Sequence, residues 1–194
     1  MNEKLEIQNE SSAEAVKFDL LVRQFLPVDD SKFILDACCG AKLMWFDKNE
    51  KRTVYMDNRE GTLTQIRSDC GNKEIKIAPD VFADFTNIPF PDESFRLVVF
   101  DPPHVKNLNE KSTTFKYYGS LLPGWEDMIR AGFSECFRVL VSGGILIFKW
   151  AEVQIPLRKI LSLTDEKPLF GQKVGKREKT HWVTFMKDDR QKSA

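Results

Sequence analysis

Four apolar runs in the first two thirds of the chain each stop at an aspartate. Phe33-Ile34-Leu35 runs into Asp36, Thr53-Val54-Tyr55-Met56 into Asp57, Val81-Phe82-Ala83 into Asp84 and Leu97-Val98-Val99-Phe100 into Asp101. Near-continuous apolar runs of this length read as strands buried on both faces, the kind found in parallel sheets covered by helices. In such sheets ligands bind outside the carboxyl ends of the strands. An acid at four successive strand ends therefore describes a site as well as a fold. Helical spacing appears over Ser12–Phe25, Trp125–Leu140 and Ile155–Leu163, with Pro156 in the first turn of the last. The expected fold is α/β, a doubly wound, mostly parallel sheet. His181–Lys187 alternates behind a glycine- and lysine-containing stretch (167–179), so the sheet is expected to end in an antiparallel hairpin.

The most informative strand end is Asp101-Pro102-Pro103-His104. Two prolines lack backbone N–H groups and cannot continue a ladder, so the strand must stop there. The Asp101 carboxylate, two carbonyls and the His104 ring are left at the sheet's edge. Acceptors held rigidly beside a flat ring suit an exocyclic amino group on a planar base.

At the first strand end, Asp36-Ala37-Cys38-Cys39-Gly40 supplies the small residues of a tight turn that lets a ligand approach backbone. No second or third glycine follows Gly40, so this is not a dinucleotide cradle, and a nucleotide lacking phosphates fits better. Asp57 lies 21 positions after Asp36, where an acid takes ribose hydroxyls. Asp84 is suited to accept an amino group, with Phe85 packing on a purine. Leu43–Phe46 is expected to pack against the sheet as a short helix or turn.

A length of 194 residues fits a single domain with a frayed polar start over residues 1–12. With 42% hydrophobic residues the chain can build a full core, which sets global disorder aside. Lys+Arg and Asp+Glu are both 29, so no globally basic nucleic-acid signature exists. From Lys149 onward, however, eleven basic residues face six acidic ones, a surplus able to steer a polyanion. The irregular stretch 105–124 is long for a loop and carries Lys106, Lys111, Lys116, Tyr117 and Tyr118. Basic residues interleaved with aromatics suit a nucleic-acid strand with an exposed base. Cys38, Cys39, Cys70 and Cys136 show no metal-ligand spacing, so reduced thiols and no metal are expected. A polar start and no long apolar run point to a cytoplasmic protein.

With these residues in place, the chain resembles class I S-adenosylmethionine-dependent methyltransferases, in particular the amino-methylating group with an Asp/Asn-Pro-Pro-aromatic corner. ILDACCG, YMD, ADF and FDPPH resemble its successive motifs, and IPFPDESFRLVVF and RVLVSGGILIFKW the fourth- and fifth-strand segments. The match runs from about Phe33 to Trp150. The overall pattern is also similar to small methyltransferases of bacteriophages and prophages. The resemblance implies a Rossmann-like methyltransferase fold with S-adenosylmethionine as cofactor. Asp36, Ala37, Cys38, Cys39 and Gly40 would cradle its methionine part, Asp57 its ribose, and Asp84 with Phe85 its adenine. Asp101, Pro102, Pro103 and His104 would form the catalytic corner, with Asp101 and the Pro102 carbonyl on the target amino group and His104 stacked on a flipped base. Three departures stand out. Cys38 replaces a common glycine, His104 replaces the usual larger aromatic, and no separate sequence-reading domain is evident. Target recognition is then expected from the 105–124 loop, the basic C-terminal part or a partner.

These features together lead to an N-methyltransferase acting on an exocyclic base amine, adenine N6 in DNA first and RNA second. The alternatives are a methyltransferase for a small molecule or protein, and a cofactor-binding module without catalysis. A 5-methylcytosine mechanism is set aside, because no cysteine lies between Cys70 and Cys136.

Overall fold

The computed structural model describes residues 26, 29–65, 73–173 and 179–188. The expected Ser12–Phe25 helix, the polar segment before it and Cys70 lie outside them.

The first strand is β1, Ile34–Asp36, and every residue in it is buried. It pairs in parallel with β2, Thr53–Asp57, on one side and β6, Phe95–Phe100, on the other. β5, Val81–Phe82, extends the sheet beyond β2, and β7, Leu140–Ala151, lies parallel to β6. β9, Thr180–Met186, runs antiparallel to β7, and β8, Phe170–Lys173, antiparallel to β9. The full order is β5-β2-β1-β6-β7-β9-β8. The expected parallel sheet with a terminal antiparallel hairpin is thus what forms. The chain leaves β1 towards β2 and later returns to its other side at β6, so a crevice opens at the carboxyl ends of β1 and β6.

Three crossovers carry no helix among their described residues, unlike a regular doubly wound sheet, and one of them is the turn segment 83–94 between β5 and β6. Residues 37–52, between β1 and β2, form turns with no helix. Between β2 and β5 stands a separate two-stranded antiparallel sheet, β3, Gly61–Gln65, with β4, Lys73–Ile77. Ile75 and Ile77 from it make a small second core with Ala41 and Tyr117. The loop expected over 105–124 contains a short helix, α1, Thr113–Tyr118. Ser112 caps it by accepting the Phe115 N–H at 3.1 Å.

The long helix is α2, Trp125–Val139. Ile129, Phe133, Cys136 and Phe137 recur at three- and four-residue spacing and are buried against the sheet. Glu126 and Asp127 in its first turn and Arg138 in its last complement the helix dipole. Ser142-Gly143-Gly144, a helix-stop signal by composition, does not cap it. Instead Leu140 turns extended at once (φ −74°, ψ 138°), and the glycines lie inside β7. The register against β6 shifts there, as a bulge requires. α3, Leu157–Leu161, follows β7 with Pro156 at its N-cap.

Packing between α2 and the sheet is aromatic. The Phe100 ring meets Phe85 at 5.2 Å, Phe133 at 5.6 Å and Phe148 at 5.7 Å between centroids. Burying each such ring contributes roughly 2–3 kcal/mol, enough to hold a helix down without help from propensity. Polar contacts then fix the segment leading into β6. Buried Glu135 accepts the Ile88 N–H at 2.8 Å, and Arg138 donates to the carbonyls of Ile88 and Phe90 and to Glu135 and Asp92.

Gly132 is where helix and sheet come closest. A Cβ there would meet Phe100 Cζ at 2.6 Å and Phe85 Cδ2 at 2.8 Å, both parts of large buried rings. Gly132→Ala is therefore expected to destabilise the protein by about 2 kcal/mol despite its better helix propensity. Urea unfolding checks this, and an unchanged or raised midpoint would contradict the packing described.

Candidate active site

A cavity of about 290 Å³ opens at the β1–β6 crevice. Its wall brings together Cys38, Cys39 and Gly40 from the turn after β1 with Asp101, Pro102 and His104 from the corner after β6. Tyr117 and Tyr118 of α1, from the stretch expected to meet substrate, also line it, and residues the sequence did not single out for the site complete it: Leu43, Met44, Arg59 and Lys149. A larger groove of about 820 Å³, lined by Arg130, Asp165 and Lys187, lies away from the four strand ends.

Asp36 is wholly buried. Trp45 Nε1 donates to its Oδ2 at 2.7 Å and the Cys38 N–H to its Oδ1 at 3.3 Å. Trp45 thereby tethers the Leu43–Phe46 turn to the end of β1, but Leu43 and Phe46 are exposed and do not pack on the sheet as the sequence suggested. Burial, helped by the charges of Asp101 and Asp57, pushes the Asp36 carboxyl up to about 7 against these two donors.

Gly40 sits at φ +49°, a conformation that costs other residues more. Its N–H donates to Asp57 Oδ2 at 2.7 Å. Asp57, expected to hold ribose hydroxyls, is 2% exposed and fully engaged. Arg59 Nε donates to Oδ1 at 2.9 Å and an Arg59 terminal nitrogen to Oδ2 at 3.0 Å. Another Arg59 nitrogen donates to the Tyr117 carbonyl at 3.1 Å, tying α1 to the end of β2.

Asp84 and Phe85 do not reach the cavity wall. Asp84 accepts from Asn58 Nδ2 at 2.7 Å and from the Thr86 N–H and hydroxyl. The Phe85 ring is 6% exposed and belongs to the aromatic core, which corrects its reading as a platform for a purine. Phe85 lies in the turn past β5, and its ring falls on the α2 side, against Gly132 and Phe100. Ala37 is likewise buried, and its N–H is spent on the Val99 carbonyl at 2.9 Å.

The corner itself is closely held. The Asp101 N–H donates to Cys38 Sγ at 3.2 Å, and Lys149 Nζ donates to Asp101 Oδ2 at 2.5 Å. Asp101 Oδ1 is buried and has no hydrogen-bond partner among the described residues; the same holds for the Tyr117 hydroxyl. His104 Nδ1 lies 3.3 Å from the Pro102 carbonyl, and the ring meets Trp150 edge-on at 5.9 Å. Burial pulls its pKa below the ordinary histidine value, so the ring is neutral at pH 7. Pro103 packs against Gly119, where an added Cβ would lie 3.1 Å from its Cγ, so α1 rests on the corner. Cys38 comes close to Asp101 although the sequence places no cysteine near it. Burial and the carboxylates around it raise its pKa well above a free thiol's, so it is no thiolate nucleophile.

No family model and no curated protein matches the chain. Among solved structures it is similar to the PH0226 protein from Pyrococcus horikoshii, at 14% identity and a TM-score of 0.51 over 94% of both chains. It is also similar to the Burkholderia thailandensis 1,6-didemethyltoxoflavin-N1-methyltransferase, crystallised with S-adenosylhomocysteine (12% identity, TM-score 0.46, 80% of this chain and 71% of that one). A third is the [4+2]-cyclase SpnF, at 12% identity and a TM-score of 0.45 over 96% of this chain and 85% of that one. The likeness shows the fold. It is the expected doubly wound α/β type, a mostly parallel seven-stranded sheet with the small antiparallel sheet added.

Asp36 carries a pH signature. Its folded pKa of about 7 lies above the unfolded value of about 4, so the folded state holds the proton more tightly. Its contribution to stability is present below pH 4, is lost as pH rises to 7 and is flat above. Trp45 supports the ionised form, so Trp45→Phe is expected to cost more at pH 8 than at pH 5, by about 1 kcal/mol. Urea unfolding at both pH values decides it, and equal costs would leave only lost packing.

Proposed function

We propose that this protein is an S-adenosylmethionine-dependent N-methyltransferase acting on the exocyclic amino group of a nucleic-acid base, with adenine N6 in DNA as the first candidate. The observation that carries the reading is the unpartnered Asp101 Oδ1, a buried acceptor on the wall of the crevice. An unsatisfied buried oxygen costs about 1–3 kcal/mol, a cost removed when a ligand N–H reaches it. The buried Tyr117 hydroxyl adds a second unused polar group on the same wall.

The residues fit the cofactor best at its reacting end. The Cys38–Gly40 turn offers close backbone approach beside Asp101. At the other end Asp57 serves a ribose once Arg59 turns aside, since both its oxygens are in use. When bound, S-adenosylmethionine supplies a methyl group on a positive sulfur, which passes to a nitrogen lone pair as sulfur keeps the electrons of the broken bond. Asp101 Oδ1 accepts an amine N–H, favours a pyramidal nitrogen, stabilises its growing positive charge and is placed to take the released proton. Neutral His104 offers a flat face or edge to a base. Tyr118, half-exposed, lies on the same wall, and Lys106, Lys111 and Lys116 belong to the segment that follows the corner, a combination that suits a phosphate backbone.

Transfer of labelled methyl to unmethylated duplex DNA, single-stranded DNA and RNA in parallel tests this. Label is expected in an N6-methylated adenine nucleoside, with Asp101→Ala at least about 100-fold slower. No label in any polymer, with cofactor binding intact, would overturn the nucleic-acid assignment.

A further inference from the structure

We propose that Lys149 is a positioning and selectivity residue for the acceptor site, one that restricts it to neutral, aromatic amines and turns away alkylammonium groups. The inference rests on the function proposed above and names the chemical class of its substrate.

Lys149 lies near the carboxyl end of β7, the strand beside β6, one residue past Phe148, which pairs with Phe100, so its side chain reaches the corner at the end of that neighbour. Its ammonium holds Asp101 Oδ2 at 2.5 Å, with side-chain exposures of 25% and 17%. A carboxylate is planar, so fixing one oxygen fixes the other. Oδ1, the oxygen left without a partner, is the one presented for a ligand. Asp101 is otherwise tethered only through its own N–H to Cys38 Sγ, a weak acceptor that does not orient the carboxyl group.

The same pair sets the charge that a substrate meets. Asp101 with Lys149 is locally neutral, and neighbouring His104 is uncharged at pH 7. An alkylamine with a pKa near 10 arrives as an ammonium and meets another ammonium already on Asp101. It must displace Lys149 or lose its proton without a free carboxylate to favour either. An exocyclic base amine carries no charge at pH 7 and needs only the one acceptor that Oδ1 supplies. A bare Asp101 would not discriminate in this way.

The test compares wild type with Lys149→Met, Lys149→Arg, Asp101→Asn and the Lys149→Met/Asp101→Asn double variant. Methyl acceptors are an adenine-containing oligonucleotide and polylysine, and cofactor affinity and Tm are followed for each variant. Wild type is expected to label the oligonucleotide and not polylysine. Lys149→Met is expected to lose about 10- to 100-fold in kcat with KM and cofactor affinity little changed, and Lys149→Arg to recover part of it. Because Lys149 acts through Asp101, the double variant should be no slower than Asp101→Asn alone. A Lys149→Met enzyme with wild-type kcat, or additive losses in the double variant, would overturn the role of Lys149 while leaving the proposed function standing. Labelling of polylysine in preference to the oligonucleotide, or of neither, would overturn both.

Discussion

Three carboxylates converge on one sheet edge, and the site exists because each has been given its own partner. Asp36, Asp57 and Asp101 stand at the ends of strands β1, β2 and β6 or just past them, with β1 between the other two. Unpaired, they would repel one another where burial has already removed most of the water. Trp45 answers Asp36 with a neutral donor, Arg59 answers Asp57 with a two-pronged ion pair, and Lys149 answers Asp101 with a single short contact. The strength of these answers differs. Asp36 has no cation and is the one whose pKa climbs to about 7. The arrangement leaves one carboxylate nearly neutral, one locked, and one with an oxygen to spare.

That gradation follows from where each partner comes from. Trp45 and Arg59 sit on the turns that immediately follow β1 and β2, so their carboxylates are closed by the same local segments that form them. Asp101 is followed by two prolines, which can donate nothing, so its partner must come from elsewhere. The neighbouring strand β7 supplies it, 48 residues away in the chain. A carboxylate served from across the sheet has one oxygen engaged and the other free, which is what a site for an incoming amine needs.

The strands and their acids were legible in the sequence because buried parallel strands announce themselves as unbroken apolar runs. Thr53–Asp57 appears in the structure with the bounds its residues suggested, and the DPPH corner stands where two prolines force it. What the sequence concealed were contacts between distant segments. Lys149 looked like one lysine in a basic tail, and Arg59 like a polar residue after a strand. The 105–124 stretch read as irregular because α1 is only six residues long and takes its stability from Ser112 and from packing on the β3–β4 sheet. Phe85 illustrates the opposite failure. Its position beside an acid suggested a ligand, but Phe85 lies in the turn past β5, and its ring falls into the space that Gly132 leaves for it.

The crossovers that carry no helix among their described residues alter how the cavity is held. In a sheet wound with helices on every crossover, the turns at the strand ends are braced by the helices that follow them. Here the turn after β1 is braced by side chains: Trp45 beneath it on Asp36, and the Gly40 N–H on Asp57. Arg59 then links that carboxylate to the Tyr117 carbonyl, so the turn after β1, the end of β2 and helix α1 form one chain of hydrogen bonds around the cavity. Any ligand that takes Asp57 from Arg59 also loosens the hold on Tyr117 and thereby on Gly119, which rests against Pro103. Under the proposed function, the cofactor and substrate ends of the site would be coupled by that chain, because the guanidinium on Asp57 also braces the wall that carries Tyr117.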